Sequence, residues 1–248
     1  MKLETDEKVI NYIRRKIAEA GKIVAVLGIE MLVEGGGYDL DSNEETYRVE
    51  ELYGYTPEDM LSTSFFNAKG ERFFRFYKNE ILTMEVKSTP AYDALLRLQA
   101  QGKLSAVICQ NFHGIPQGIR FHKIIELNGN MNSNRCPHCS KLFDINYMRN
   151  AVGIPLCDNC KKTAVRPNIR LLGERVNAKL MTEAENACEE ADVLLIMGKD
   201  MYDDRLEYSA DPSRSQLKIL FSQEKQLSDR KVDFVIQDEI QLFLPVVI

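Results

Sequence analysis

Four cysteines stand in two identical pairs, Cys136-Pro137-His138-Cys139 and, seventeen residues on, Cys157-Asp158-Asn159-Cys160. Thiols at C-x2-C spacing sit on a tight turn that aims both sulfurs at one ion, and two such turns close a tetrahedron around zinc. Cys136, Cys139, Cys157 and Cys160 are therefore the expected ligands of a Zn2+ ion. Four protein sulfurs leave no open position for water, so the metal is expected to be structural and the chemistry to lie elsewhere. His138 falls between the first two ligands, and a fifth ligand is not expected. Disulfide pairing is the weaker reading. The N-terminal run from Met1 to Lys8 is charged and lacks an apolar signal core, and a cytosolic compartment keeps thiols reduced. A cytoplasmic location is the expectation.

The elements that must position such a site are legible as apolar runs. Ile23–Leu27, Leu104–Ile108, Lys123–Leu127, Val193–Met197, Leu217–Phe221 and Asp233–Ile236 are short, rich in β-branched residues and almost wholly apolar. Parallel strands covered on both faces have this character. Helices fit between them: Val9, Ile10, Ile13 and Ile17 line one face of the first, and Ser88-Thr89-Pro90 opens another that stops at Gly102. Asn177 to Glu190 reads as a third, with Leu180, Ala184, Ala187 and Cys188 on one face. The expected fold is α/β, a doubly wound, mostly parallel Rossmann-like sheet with a small zinc-binding and helical lobe. Residues 1–39, 86–128 and 166–248 are assigned to the sheet domain, and residues 40–85 and 129–165 to the lobe. The aromatics of the first insertion (Phe65, Phe66, Phe73, Phe74, Phe76 and Tyr77) are expected to be core, as are Cys109 and Cys188. A cleft between the two parts is the natural ligand site.

Bulk properties narrow the partners. Among 248 residues, 44% are hydrophobic and 28% charged, which suits a globular protein with a full core. A net charge of −5 provides no electrostatic footprint for nucleic acid. No apolar run approaches the roughly 20 residues that span a bilayer, so no membrane partner is expected.

The motifs, taken in order, resemble those of the sirtuins, the NAD-dependent protein-lysine deacylases. The series is Gly28 after the first strand, Cys109-Gln110-Asn111, Glu126-Leu127-Asn128-Gly129, the cysteine quartet, Arg166-Pro167…Gly173-Glu174 and Gly198-Lys199-Asp200. The likeness spans nearly the whole chain, which reads as a divergent, bacterial-type member with altered catalytic motifs. It implies a cofactor site formed by Gly28, Asp39, Gln110, Asn111, His113, Gly198, Asp200 and Ser222. It implies catalytic positions at Gln110, Asn111 and Asn128, and an acyl-lysine peptide held as an added strand at Gly173 and Glu174. The alternative for Gly173 and Glu174 is structural: a turn and an N-cap interaction.

Several of these positions depart from the family pattern. Asn128 stands where sirtuins carry the histidine of Glu-Leu-His-Gly, their general base. An amide cannot accept a proton near neutral pH, and losing a positioned base typically costs about 10²–10⁴ in rate. Glu30 stands where the glycine loop has a small serine. A carboxylate about 4 Å from a phosphate oxygen is repelled by roughly 4 kcal/mol at an effective dielectric near 20, about three orders of magnitude in affinity. Gly35-Gly36-Gly37 either restores backbone flexibility or is a mobile loop; Asp41 replaces an arginine, and Asp39 is kept. Asp200, in place of a serine, either repels phosphates or accepts ribose hydroxyls. His113, in place of the aspartate that contacts nicotinamide, is either a substitute base or an ordinary loop or core histidine.

Two functions of different class follow. The first is a sirtuin-like protein with impaired or absent deacylase activity that binds an acylated-lysine peptide, an NAD fragment such as ADP-ribose, or a protein partner. The second is an active NAD-consuming enzyme with altered chemistry, by NAD hydrolysis or ADP-ribosyl transfer, or by deacylation. Zinc is expected in both, and NAD itself is set against Glu30 and Asp200.

Overall fold

Six short, largely apolar runs pair edge to edge in the order β3-β2-β1-β6-β7-β8, every pair parallel. They are β1 (Ile23–Leu27), β2 (Leu104–Cys109), β3 (Ile124–Glu126), β6 (Val193–Met197), β7 (Leu217–Phe221) and β8 (Phe234–Ile236). The two-residue strands β4 (Asn134–Arg135) and β5 (Leu142–Phe143) form a separate antiparallel ribbon. The structure, a computed structural model of the chain, describes residues 7–198, 216–223, 225 and 231–248.

Alternation along each strand divides the core. Ile23, Ala25 and Leu27 of β1 face one layer with α1 (Glu7–Glu19), α7 (Pro90–Ala100) and α10 (Ile240–Val247), whose Ile13, Leu95 and Leu244 are fully buried there. Val24 and Val26 face the other layer, where α9 (Ala178–Glu190) lays down Met181, Ala184 and Cys188. Both faces being covered is why the strands read as unbroken apolar runs. Asn177 caps α9 through Oδ1, which accepts from the backbone N–H of Lys179 at 2.9 Å. Among the described residues no helix is long and apolar enough to cross a membrane.

A third cluster joins two stretches far apart in sequence. Five short elements, α2 (Ile29–Glu34), α3 (Asn43–Tyr53), α4 (Pro57–Met60), α5 (Thr63–Ala68) and α6 (Gly70–Phe76), lie between β1 and a wide π-helical turn at Tyr77–Ile81. From these, Val49, Met60, Phe65, Phe73, Phe74, Phe76 and Tyr77 pack against Met131, Phe143, Met148, Val165 and Leu171. The last group includes Met148 of α8 (Ile145–Asn150). Phe66 meets Phe73 edge-on at 4.8 Å between centroids, and Phe73 stacks on Tyr77 at 5.7 Å. The π turn carries Glu80, a buried carboxylate that accepts from Tyr53 Oη at 2.6 Å and Arg48 Nη2 at 2.7 Å. Tyr38 donates to the Glu80 carbonyl at 2.6 Å, so the loop after α2 is tied to this cluster.

The chain order reverses around β1, with β2 on one side and β6 on the other. A crevice opens at the carboxyl ends of strands at such a switch point. Into it run Gly28 after β1, Gln110 and Asn111 after β2, Asn128 after β3, Gly198 after β6 and Ser222 after β7.

The segment after β3 also pairs with the segment after the cysteine quartet. Asn130 N–H donates to Asn168 O at 2.7 Å and Arg170 N–H to Asn128 O at 2.9 Å, with Gly129 opposite Ile169. Gly129 has φ +79°, and a Cβ there would lie 2.1 Å from the Asn168 carbonyl oxygen. Gly153 has φ +64° with open space around it. Gly129→Ala is therefore expected to destabilise the fold by at least about 2 kcal/mol in urea unfolding, and Gly153→Ala by only about 1 kcal/mol.

Candidate functional site

A cavity of about 500 Å³ fills the crevice, and six of the expected site residues line it: Gly28, Asp39, Gln110, Asn111, His113 and Asn128. Asp41 shares it, with Tyr38, Phe112, Leu127 and one residue not singled out from sequence, Arg170. The signal for Arg170 was present in the alternation Asn168-Ile169-Arg170-Leu171, which places a cation opposite two apolar neighbours. Ile169 and Leu171 are buried and Arg170 is exposed to the cleft.

Asn128 is fixed by two partners. Its Nδ2 donates to the Gln110 carbonyl, and its Oδ1 accepts from Arg170 Nε at 2.6 Å. The partners set the amide's orientation, since a carbonyl needs a donor and a guanidinium offers one. The oxygen, the group's acceptor, is thereby occupied by a permanent cation. Asn111 Oδ1 accepts from the Gly114 N–H at 3.1 Å, and its NH2 has no protein hydrogen bond among the described residues.

His113 is 7% exposed, stacks on Phe112 at 4.7 Å, and has no hydrogen bond at either ring nitrogen. Burial disfavours the imidazolium and pushes the pKa down from 6.5 to about 4. The ring is neutral at pH 7 and a weak base. It also borders a second cavity of about 720 Å³, shared with Val86, Ile115, Asn132 and Arg149.

The remaining expected residues lie apart from this cavity. Glu30 turns toward the far end of the crevice. Its Oε1 accepts from Ser222 Oγ at 2.6 Å and its Oε2 from the Gln223 N–H at 2.9 Å. Gly198 packs directly on it: with φ +59°, a Cβ at Gly198 would lie 2.2 Å from Glu30 Cβ. The carboxylate thus sits among Gly198 and Ser222, two of the expected cofactor residues. Asp200 lies outside the described residues. Glu174 is engaged by Arg166 Nη2 at 2.7 and 2.8 Å and by the Leu171 N–H at 2.9 Å, while Gly173 turns the chain at φ +92°. These contacts accord with the structural alternative for both residues.

The cysteine quartet converges. All four Sγ atoms lie within 4.8 Å of one another, with Cys136 to Cys160 and Cys139 to Cys157 each at 3.6 Å. A tetrahedron with Zn–S bonds of about 2.3 Å has edges of about 3.8 Å, so the donor set fits zinc. The two turns are alike: Cys139 N–H points to Cys136 Sγ and Cys160 N–H to Cys157 Sγ, each at 3.5 Å. The residue after each turn, Ser140 or Lys161, is left-handed, and these are the non-glycine residues with positive φ among those described. His138 is outside the quartet, with Nε2 3.4 Å from Lys162 Nζ. Cys109 and Cys188 are buried elsewhere, their thiols pushed up to about 12 by desolvation.

Residues 40–202 match the model of the Sir2 family. The chain is 31% identical over 244 residues to an NAD-dependent protein deacetylase of Clostridium acetobutylicum, covering 96% of this chain and 98% of that one. It is 32% identical over 229 residues to one from Clostridium tetani, covering 92% of each. A solved Sir2 enzyme structure superposes with a TM-score of 0.81 at 23% identity, over 97% of this chain and 96% of that chain. A Sir2 complex with a p53 peptide and NAD+ superposes at 0.79 and 22% identity, over 95% of each. At these identities the structural likeness is one of fold.

Two outcomes follow from the site's electrostatics and donors. The chain has three histidines, so ring proton NMR is expected to isolate His113 with a midpoint near 4. Because the unfolded chain binds this proton near pH 6.5 and the folded chain only near 4, His113 costs stability as pH falls through that window. The loss reaches about 3 kcal/mol at its lower end. For the quartet, one equivalent of zinc is expected per chain; a chelator or Cys157→Ser should lower the melting temperature, and His138→Ala should leave it unchanged.

Proposed function

The chain belongs to the Sir2 family, and from that premise we propose that it is a member with impaired or absent deacylase activity whose cleft binds an acylated-lysine peptide or ADP-ribose. The observation that carries this reading is Asn128, held between the Gln110 carbonyl and Arg170 at the position of the family's histidine base. Its amide has no basic lone pair at neutral pH, and its oxygen already receives a guanidinium hydrogen bond. His113 does not replace it well, since burial has lowered its basicity by more than two pH units. Zinc, held by Cys136, Cys139, Cys157 and Cys160, would brace the fold and take no part in the reaction. A cytoplasmic location accords with a quartet that must stay as thiolates to hold zinc.

The residues fit NAD in one half. Gln110 and Asn111 remain at the open cavity, where the family orients the nicotinamide ribose and water. At the other end Glu30 takes the Ser222 hydroxyl and the Gln223 N–H, and adds negative charge where phosphates would approach. NAD and ADP-ribose share the diphosphate and must both displace these contacts; an acyl-lysine peptide need not.

A second reading, an NAD-consuming enzyme that hydrolyses the cofactor or transfers ADP-ribose, is favoured by Asn111. Its NH2 stands beside the open cavity without a protein partner among the described residues. Stabilising a cationic ribose carbon calls on this amide more than on a base at position 128.

Titration calorimetry of the zinc-loaded chain with acetyl-lysine peptide, ADP-ribose and NAD tests the assignment. Saturable binding of the peptide or ADP-ribose, with no nicotinamide released from NAD, is the expected result. Glu30→Ser should tighten ADP-ribose by at least about tenfold. Nicotinamide release that Asn111→Ala abolishes transfers the assignment to the second reading. Absence of binding for all three ligands up to millimolar concentration overturns both.

A further inference from the structure

Outside the cleft, two cations converge on one oxygen atom. Tyr55 follows α3, and its Oη accepts from Lys69 Nζ at 2.7 Å and from Arg72 Nη1 at 2.8 Å. Lys69 joins α5 to α6 and Arg72 lies in α6, so the turn between two short helices delivers both to the phenol. None of the three lines the cavity at the carboxyl ends of the strands. Lys69 Nζ also stands 4.2 Å from the centroid of the Tyr55 ring and 5.3 Å from that of Phe65, and the two rings meet edge-on at 4.9 Å. The aromatic faces hold the ammonium in place.

Like charges drawn to one atom repel, and the protein provides nothing to offset them. Among the described residues no carboxylate lies within ion-pair distance of Lys69 or Arg72. Glu71 lines the same open depression of about 530 Å³, with Ala68 and Gly70, and pairs with neither cation. The positive field reaches the phenol, whose pKa is lowered from 10 chiefly by the Lys69 hydrogen bond. A phenol oxygen has two acceptor sites, and the two cations fill them. Its hydrogen has no protein acceptor among the described residues. The depression therefore presents three kinds of donor together: an ammonium, a guanidinium and a phenol O–H. A phosphate monoester matches them with three terminal oxygens and close to two negative charges. A carboxylate brings two oxygens and one charge, which leaves one cation unmatched.

We propose that Tyr55, Lys69 and Arg72 form a binding site for a phosphate monoester, separate from the cleft. A phosphorylated side chain of a protein partner and a small phosphorylated molecule offer the same chemistry. Neither needs the cleft to be occupied, so the site stands apart from the reading of Asn128.

The test follows Tyr55 itself. In the zinc-loaded chain with tyrosine labelled at Cζ, Tyr55→Phe identifies its carbon resonance among ten tyrosines. Inorganic phosphate and a lysine-free phosphoserine peptide are titrated at low salt, against acetate and the unphosphorylated peptide. Phosphate is expected to move the Tyr55 signal saturably, at least about tenfold more tightly than acetate, and to weaken as salt rises. Lys69→Gln combined with Arg72→Gln should weaken phosphate at least about tenfold, and Glu71→Gln should tighten it severalfold. All three side chains are exposed, so these variants are expected to melt within a few degrees of the parent. Tighter binding of the phosphopeptide than of phosphate assigns the source to a protein side chain, and the reverse to a small molecule; either upholds the site. An equal response to phosphate and acetate overturns the proposal. So does a response that never saturates, or one that survives the loss of both cations.

Discussion

Parallel pairing of β1 with β2 on one edge and β6 on the other sends every functional loop to the same end of the sheet. Leu27 stands level with Cys109 on one neighbour and Met197 on the other, so Gly28, Gln110 and Gly198 emerge together. A parallel sheet requires crossovers, and the crossovers are the helices that cover both faces. The cleft is thus a by-product of strand direction. What the cleft can do is then decided by a few side chains at its rim.

Among those, carboxylates act as internal ties. Glu80 joins Arg48 and Tyr53 through its carboxylate and Tyr38 through its backbone carbonyl, holding the loop after α2 against the aromatic cluster. Glu34 accepts from the Ile240 and Gln241 N–H groups at 2.6 and 2.8 Å and so caps α10, close to the favourable end of that helix's dipole. Glu30 ties α2 to the end of β7 in the same manner. Three acids that would obstruct an anionic cofactor if they faced it are each satisfied by protein donors. Only Glu30 does so at residues expected to hold a cofactor. Arg170 is the complementary case, a cation anchored through an amide and left without an acid. On the proposed reading, the cleft holds an amide where the family carries its base, with a fixed positive charge beside it.

Much of this was legible in the sequence wherever the information is local. The C-x2-C pairs specify turns within four residues, and the sulfurs converge as the spacing implied. The apolar strands were readable because both faces are covered, and the α9 cap because Asn177 precedes the helix directly. Position 128 was legible through its motif. The partners were not. Glu30 meets Ser222 across 192 positions and Asn128 meets Arg170 across 42, and no local pattern encodes such pairs. The donors that Glu30 meets, the Ser222 hydroxyl and the Gln223 N–H, follow β7 and leave no trace near position 30. His113 likewise read as a loop, core or catalytic histidine, because its depressed basicity depends on burial supplied by the surrounding chain.

The central claim is that an amide at position 128, fixed by Gln110 and Arg170, cannot carry acyl transfer. Stoichiometric zinc-loaded protein, NAD and an acyl-lysine peptide, followed by peptide mass over hours, test it most directly. The account predicts that the peptide keeps its acyl group. Its removal within a single turnover, at a rate that Asn128→Ala abolishes, would contradict the account.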